Sequence, residues 1–183
     1  MIIMPATVEI KRWTGSSGSP TKTTITGINT RANAYDGHST NDTANPITIV
    51  TGETHYSYWV TTRLSATTTP TGTIDNLRWY TDGNNNFGTG VTCIAQSAGS
   101  YVQATGVTGN GTQLTTGNHA GLTGSPVDAF TFTSVAPLAL TGNITNPSTG
   151  DFGQFVVYQI VVADTAGAGT TTSETFTYKY DET

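Results

Sequence analysis

The chain predicts an all-β protein, a two-sheet antiparallel β-sandwich with long loops in a single domain spanning residues 1–183. Three observations predict it. Apolar and polar residues alternate with a period of two through most of the apolar segments, and no run repeats at the 3.6-residue period of a helix. Thr makes up about a fifth of the chain, several-fold above ordinary usage, and its branched Cβ suits a pleated surface while its hydroxyl tolerates water. Thr-Gly steps such as Thr51-Gly52, Thr71-Gly72, Thr89-Gly90 and Thr141-Gly142 punctuate the chain at the spacing of turns between short strands. A sandwich of Ig-like or jelly-roll type satisfies all three. No strand pattern alternates with a 10–15-residue helical one, which argues against a doubly wound α/β fold.

The expected elements follow in order. Thr7–Trp13 alternates, with Val8 and Ile10 on one face and Glu9 and Lys11 on the other. Thr23–Ile28 and the short Ile47–Val50 follow. His55–Leu64 places Tyr56, Tyr58, Val60 and Leu64 together, with Ser57, Thr61 and Arg63 opposite. Thr73–Thr81 aligns Leu77 and Trp79. Val91–Ala95, Tyr101–Ala104 and Phe130–Phe132 are further short strands. Gln154–Ala163 is nearly apolar on both faces, the mark of a central strand. Glu174–Tyr180 lines up Phe176, Tyr178 and Tyr180. The expected core gathers Leu77, Trp79, Val157, Ile160, Val161, Phe176 and Tyr178. Two segments, 30–46 and 106–126, read as long loops, a kind that is uncommon unless functional or ordered by a partner.

Composition narrows the function. The 183 residues hold 7 Lys and Arg against 12 Asp and Glu, a net charge of −5. Nucleic-acid affinity comes from Lys and Arg displacing counterions, so no nucleic-acid partner is expected. The same sparseness argues against an anionic membrane surface, and no apolar run approaches the roughly 20 residues of a membrane helix. With one cysteine, Cys93, no intrachain disulfide is possible; the thiol is expected to be structural and half-buried. The surface is rich in hydroxyls and amides, as in proteins that work outside cells. Met1–Glu9 shows neither the basic nor the long apolar region of an export signal. Together these lead to the expectation of a particle released by lysis.

No motif for chemistry stands out, and no enzyme activity and no cofactor are expected. There is no Gly-x-Ser-x-Gly elbow and no phosphate loop. The acidic residues are scattered, with nothing to mark a glycosidase pair. Asp82, Asn84 and Asn86 alternate like the start of a calcium loop. Phe87 then replaces the sharp-turn Gly and Cys93 the bidentate Glu, so a hairpin loop is the preferred reading and no metal is expected. His38, His55 and His119 lack the close spacing of zinc ligands. Tyr35, Tyr56, Tyr58, Trp59, Trp79 and Tyr80 could form a sugar-stacking platform, although aromatics on strands more often pair across a sheet. Met1, Ile2, Ile3 and Met4, an apolar run, are expected to form a contact arm. Tyr35 and Trp59 are further interface candidates, Trp59 being either a core residue of the second face or an exposed contact.

Gly153-Gln154-Phe155-Val156-Val157-Tyr158-Gln159-Ile160-Val161-Val162, the small-residue loop Asp164–Gly169, and Thr175–Glu182 together resemble the closing strands of β-rich virion proteins of tailed bacteriophages. The resemblance covers residues 153–182 and implies a non-enzymatic capsid decoration or auxiliary structural subunit, located in the virion. Its partners would be other virion subunits, a capsid protein or further copies of itself, in a homo-oligomer or lattice. A carbohydrate- or receptor-binding module of the tail-fibre type is the alternative expectation, and a pilus or surface-layer subunit the next.

Overall fold

A two-faced apolar strand organises the chain. In the computed structural model, which describes residues 5–41 and 43–183, that strand runs from Gly150 to Val162. The full order is β1 (Val8–Thr14), β2 (Thr21–Thr24), β3 (His55–Tyr56), β4 (Val60–Ala66), β5 (Thr73–Tyr80), β6 (Val91–Ala98), β7 (Gly106–Val107), β8 (Asn110–Gly111), β9 (Val127–Asp128), β10 (Leu138–Leu140), β11 (Ile144–Thr145), β12 (Gly150–Val162) and β13 (Thr177–Glu182). The first sheet has the order β2-β1-β4-β12-β6-β9, with β3 pairing β12 beyond the end of β4. In the second, β5 pairs with β10 and β11 and also with β13. All these pairings are antiparallel, so the all-β, two-sheet architecture is as expected.

The sheets meet face to face. Trp79 of β5 stacks over Tyr158 of β12, and Phe176 packs edge-on against both rings. The Tyr178 hydroxyl of β13 is 2.8 Å from Oγ1 of Thr62 on β4. Val60, Leu64, Ile74, Leu77, Cys93 and Val156 complete this inner core. Cys93 is fully buried rather than half-buried, and burial pushes its thiol well above the usual range.

The other face of the first sheet is covered too. The segment after β6 folds back across it, so that Trp59, Ala98, Ala104, Leu114, Phe155 and Val157 form a second core. The segment 106–126, expected as a loose loop, is therefore a cover with its own short hairpin, β7–β8. It is ordered by this chain. Gln159 of β12, wholly buried, fastens it: Nε2 donates to the carbonyls of Ser57 and Thr112, and Oε1 accepts from the Leu114 amide. A Cβ on Gly111 would lie 2.1 Å from the Ser57 carbonyl oxygen, so only glycine permits this approach.

Several expected strands differ. His55–Leu64 is split, because Ser57–Trp59 leaves the ladder: Ser57 Oγ accepts from the Ile160 amide, and the Tyr58 amide donates to Asn33. Tyr58 consequently packs with the outer core and Val60 with the inner one, instead of sharing a face. Phe130–Phe132 falls in a 3₁₀ turn, Ala129–Thr131, because the Asp128 carboxylate caps the Phe130 amide. Ile47–Val50 and Tyr101–Ala104 are not strands. The Tyr101 hydroxyl donates to the Gly15 carbonyl and the Gln103 amide to Ser17 Oγ, which ties that segment to the β1–β2 turn. Val157 and Ile160 are buried as expected; Val161, Phe176 and Tyr178 are only partly so.

Gln159→Leu roughly preserves volume but strands two buried backbone groups, the Ser57 carbonyl and the Leu114 amide. It should lower stability by about 2–6 kcal/mol in urea unfolding, since each orphaned group costs about 1–3 kcal/mol. His119 is also buried, edge-on to Trp59, and neither ring nitrogen has a hydrogen-bond partner among the described residues. Burial holds its pKa below the ordinary 6.5 and keeps it neutral. The unfolded chain then binds the extra proton, so its contribution to stability is full above pH 6.5 and is lost as pH falls toward the folded value. His119→Phe should flatten that part of the stability profile, as measured by unfolding midpoints across the acid range.

Candidate functional site

The two sheets differ in width, and the difference creates a cavity. β13 lies over β4, β5 over β12, and β10 beside β6. Among the described residues no strand of the second sheet covers β1 and β2. Ile10 of β1 and Ile25, just beyond β2, therefore open into a space of about 850 Å³. Its floor includes Thr62, Tyr158 and Ile160, and Phe176 and Tyr178 form its side wall. Burial pushes the Tyr158 phenol up to about 12.

Two loops roof the cavity. The first, residues 27–49, is pinned by polar groups. Buried Arg12 donates from Nη1 to the Arg31 carbonyl at 2.6 Å and to Thr30 Oγ1 at 3.2 Å. Burial lowers its pKa, partly offset by Tyr158 and Asp36. Asp36 accepts from the Gly15 amide and from Gln103 Nε2. Asn33 donates from Nδ2 to the Ala44 carbonyl, while its buried Oδ1 has no partner among the described residues. The second roof, 166–175, is Ala-Gly-Ala-Gly-Thr-Thr-Thr-Ser-Glu-Thr. Small residues there leave little to pack, and the two loops meet through Asn29 Nδ2 and Ser173 Oγ at 3.0 Å. Ile28 and Ile49 remain 46% and 38% exposed on the first loop and line the opening.

The sequence-derived candidates fall elsewhere. Trp59 is 3% exposed in the outer core, so the indole is a core residue and not a surface contact; its Nε1 donates to the Val102 carbonyl. Trp79 is buried between the sheets, and the supposed sugar platform is thereby dispersed. Tyr35 is 53% exposed on the first roof loop. Met1, Ile2, Ile3 and Met4 lie outside the described residues. Pro5 follows them, and the Ala6 amide is bound by the Glu182 carboxylate at the far end of β13 from the cavity. The Thr71 amide also donates to that carboxylate, which holds Glu182 below the usual range.

Asp82, Asn84 and Asn86 are exposed but do not converge. Asp82 Oδ1 accepts from the Asn84 amide in a tight side-chain turn, and the Asn86 amide donates to Glu174. The three histidines are likewise apart: His55 lies between Thr48 and Glu53, His38 beside Thr30, and His119 in the outer core. Among the described residues no three His, Cys, Asp or Glu side chains are grouped to hold a metal. The sequence marks Trp79, Ile160, Phe176 and Tyr178 as core and 30–46 as a long loop, but not that they meet around a cavity. The further signal is the small-residue run 166–173, too poor in apolar residues to close a core.

An all-β protein with two unequal sheets and a largely apolar inter-sheet cavity, with Arg31 and Glu174 the charged residues in its lining, is the class these features define. The chain matches no known protein family, no curated protein and no solved structure.

Asp82→Ala should remove the side-chain turn without touching a metal site. Its melting temperature is expected to differ by less than about one degree between calcium and chelator, as is that of the wild type; a calcium-dependent rise lost in the variant would place an ion there.

Proposed function

We propose that this chain is a non-enzymatic structural subunit of a virion surface, decorating or cementing a phage capsid through contacts with other protein subunits. The observation that carries this reading is the open end of the sandwich. A largely apolar cavity with Ile28 and Ile49 exposed at its opening suits a protein contact, where burial of apolar area drives association. The Thr, Gly and Asn loops around it supply hydroxyl and backbone hydrogen bonds without desolvating charges. The resemblance of residues 153–182 to closing strands of tailed-phage virion proteins points the same way, as does the hydroxyl-rich, low-charge composition.

A carbohydrate- or receptor-binding module is the second reading. The cavity volume, about 850 Å³, falls in the range of small-ligand sites, and Asn29 and Asn41 supply amides along its lining. Against it, Tyr35 is the only aromatic among the described residues that is strongly exposed, whereas sugar recognition favours several.

Imaging of purified native particles tests the choice. Copies repeating with the shell lattice, contacting neighbours through the open end, are expected. Location at a fibre tip, together with glycan binding by the isolated chain, would transfer the assignment to the second reading; particles without the chain would remove both.

A further inference from the structure

The cavity between the sheets changes in polarity with depth. Ile25, Trp79, Tyr158, Ile160 and Val162 line it as buried side chains. Thr62 Oγ1 and the Tyr178 hydroxyl also line it, but they bond each other at 2.8 Å. Toward solvent the lining turns polar. Asn29, Thr171 and Ser173 are exposed there, and Arg31 and Glu174, half-buried, bring one charge of each sign. This gradient discriminates between occupants. An apolar protein cavity of about 150 Å³ stays dry and binds benzene, so an apolar body suits the deep part. A sugar would set several hydroxyls against side chains that cannot bond them. A peptide strand would find no backbone edge, because Tyr178 alone of β13 reaches the space. At the roof, hydroxyls and amides match an uncharged polar end, whereas an ionised end gains no net attraction from the opposite charges of Arg31 and Glu174.

We propose that the cavity binds a neutral single-chain amphiphile, a long-chain alcohol or a monoacylglycerol. Its alkyl chain lies along Ile25, Ile160 and Val162, beside the Trp79 ring, and its hydroxyl end sits between loops 27–49 and 166–175. The volume, about 850 Å³, lies in the range of sites that bury most of a small ligand's surface. The roof suits entry as well. Ala166, Gly167, Ala168 and Gly169 bring little side chain to it. The two loops meet through the exposed hydrogen bond from Asn29 Nδ2 to Ser173 Oγ, and exposed loop contacts of this kind open most readily. The inference goes beyond the structural-subunit reading and does not depend on it. The amphiphile lies beneath the roof, and the exposed Ile28 and Ile49 remain for a protein contact.

Trp79 reports on the cavity, because Trp13 and Trp59 pack with the outer core instead. Titration of the purified full chain with undecanol carrying a terminal bromine should quench part of the tryptophan emission and saturate at one-to-one. Trp79→Phe should abolish that quenching. Ile10→Asp puts a charge on the cavity floor, and Ala32→Phe fills space from the roof loop; each should weaken binding at least about tenfold, with circular dichroism checking the fold. Val107→Asp, on the exposed β7–β8 hairpin, should leave it unchanged. The matching bromoundecanoate should bind at least about tenfold more weakly at about pH 8, where its carboxylate is ionised. Absence of quenching, quenching that does not saturate, or quenching that survives in Trp79→Phe overturns the proposal. Equal affinity for the carboxylate also overturns it, and so does displacement of the alcohol by maltotriose, which would favour a glycan. Particle imaging decides the structural-subunit reading separately, so either can fall without the other.

Discussion

Everything in the fold depends on β12 being buried on both faces. A strand covered on one side needs one hydrophobic stripe, but a strand covered on both needs two, and it must hold its register against two different partners. Val156, Tyr158 and Ile160 face the second sheet, while Phe155 and Val157 face the overlying segment. Full burial of each such side chain contributes about 1.5–3 kcal/mol, so this strand alone accounts for a large share of the hydrophobic stabilisation. Gln159 stands among them as the one polar member, and its three hydrogen bonds decide where the cover lies. Slippage by one residue would exchange the two apolar stripes and bury an unpaired amide. Near the start of the strand the register shifts between Phe152 and Val156. Gly153 there has a φ of +71°, a conformation that glycine adopts freely, and its carbonyl accepts from Arg63 Nε.

The unequal sheets are the second consequence. The first sheet extends out to β2, but the second stops at β13 over β4, two strands short on that side. The inner face of β1 and β2 is then closed by irregular chain. Irregular backbone has to find its hydrogen bonds individually, and the polar groups that provide them are conspicuous: Arg12, Asn33 and Asp36 together hold the first roof loop. A buried guanidinium is costly unless bonded, and Arg12 acts as a peg for the loop backbone rather than as a paired charge. The closure remains partial, which is why apolar side chains at the opening stay in solvent.

Sparse charge ties the structure to its proposed role. Among the described residues Lys22 pairs with Asp151 and Arg78 with Asp181. Both pairs involve exposed or half-exposed partners, which contribute about 1 kcal/mol or less each. Cohesion comes instead from two apolar cores and from many neutral hydroxyl and amide bonds. Such bonds respond little to salt, as suits a subunit held in an assembly by shape and contact area.

Alternation, Thr content and turn spacing determined the all-β class, and the two-faced run from Phe155 to Val162 determined the central strand. These are local properties, since side-chain period follows directly from backbone geometry. What covers each face is not local. The folding of 99–125 onto the outer side of β12 depends on Gln159 meeting Leu114, Thr112 and Ser57, residues 45 to 102 positions away along the chain. For the same reason Trp59 read as ambiguous: its side of the sheet was legible, but whether that side met water was decided by the cover. Phe130–Phe132 went astray because a single capping bond from Asp128 outweighs three residues of strand propensity. The cavity was least legible of all, because it arises from the number of strands in each sheet, and strand pairing is fixed by tertiary contacts rather than by any segment's own pattern.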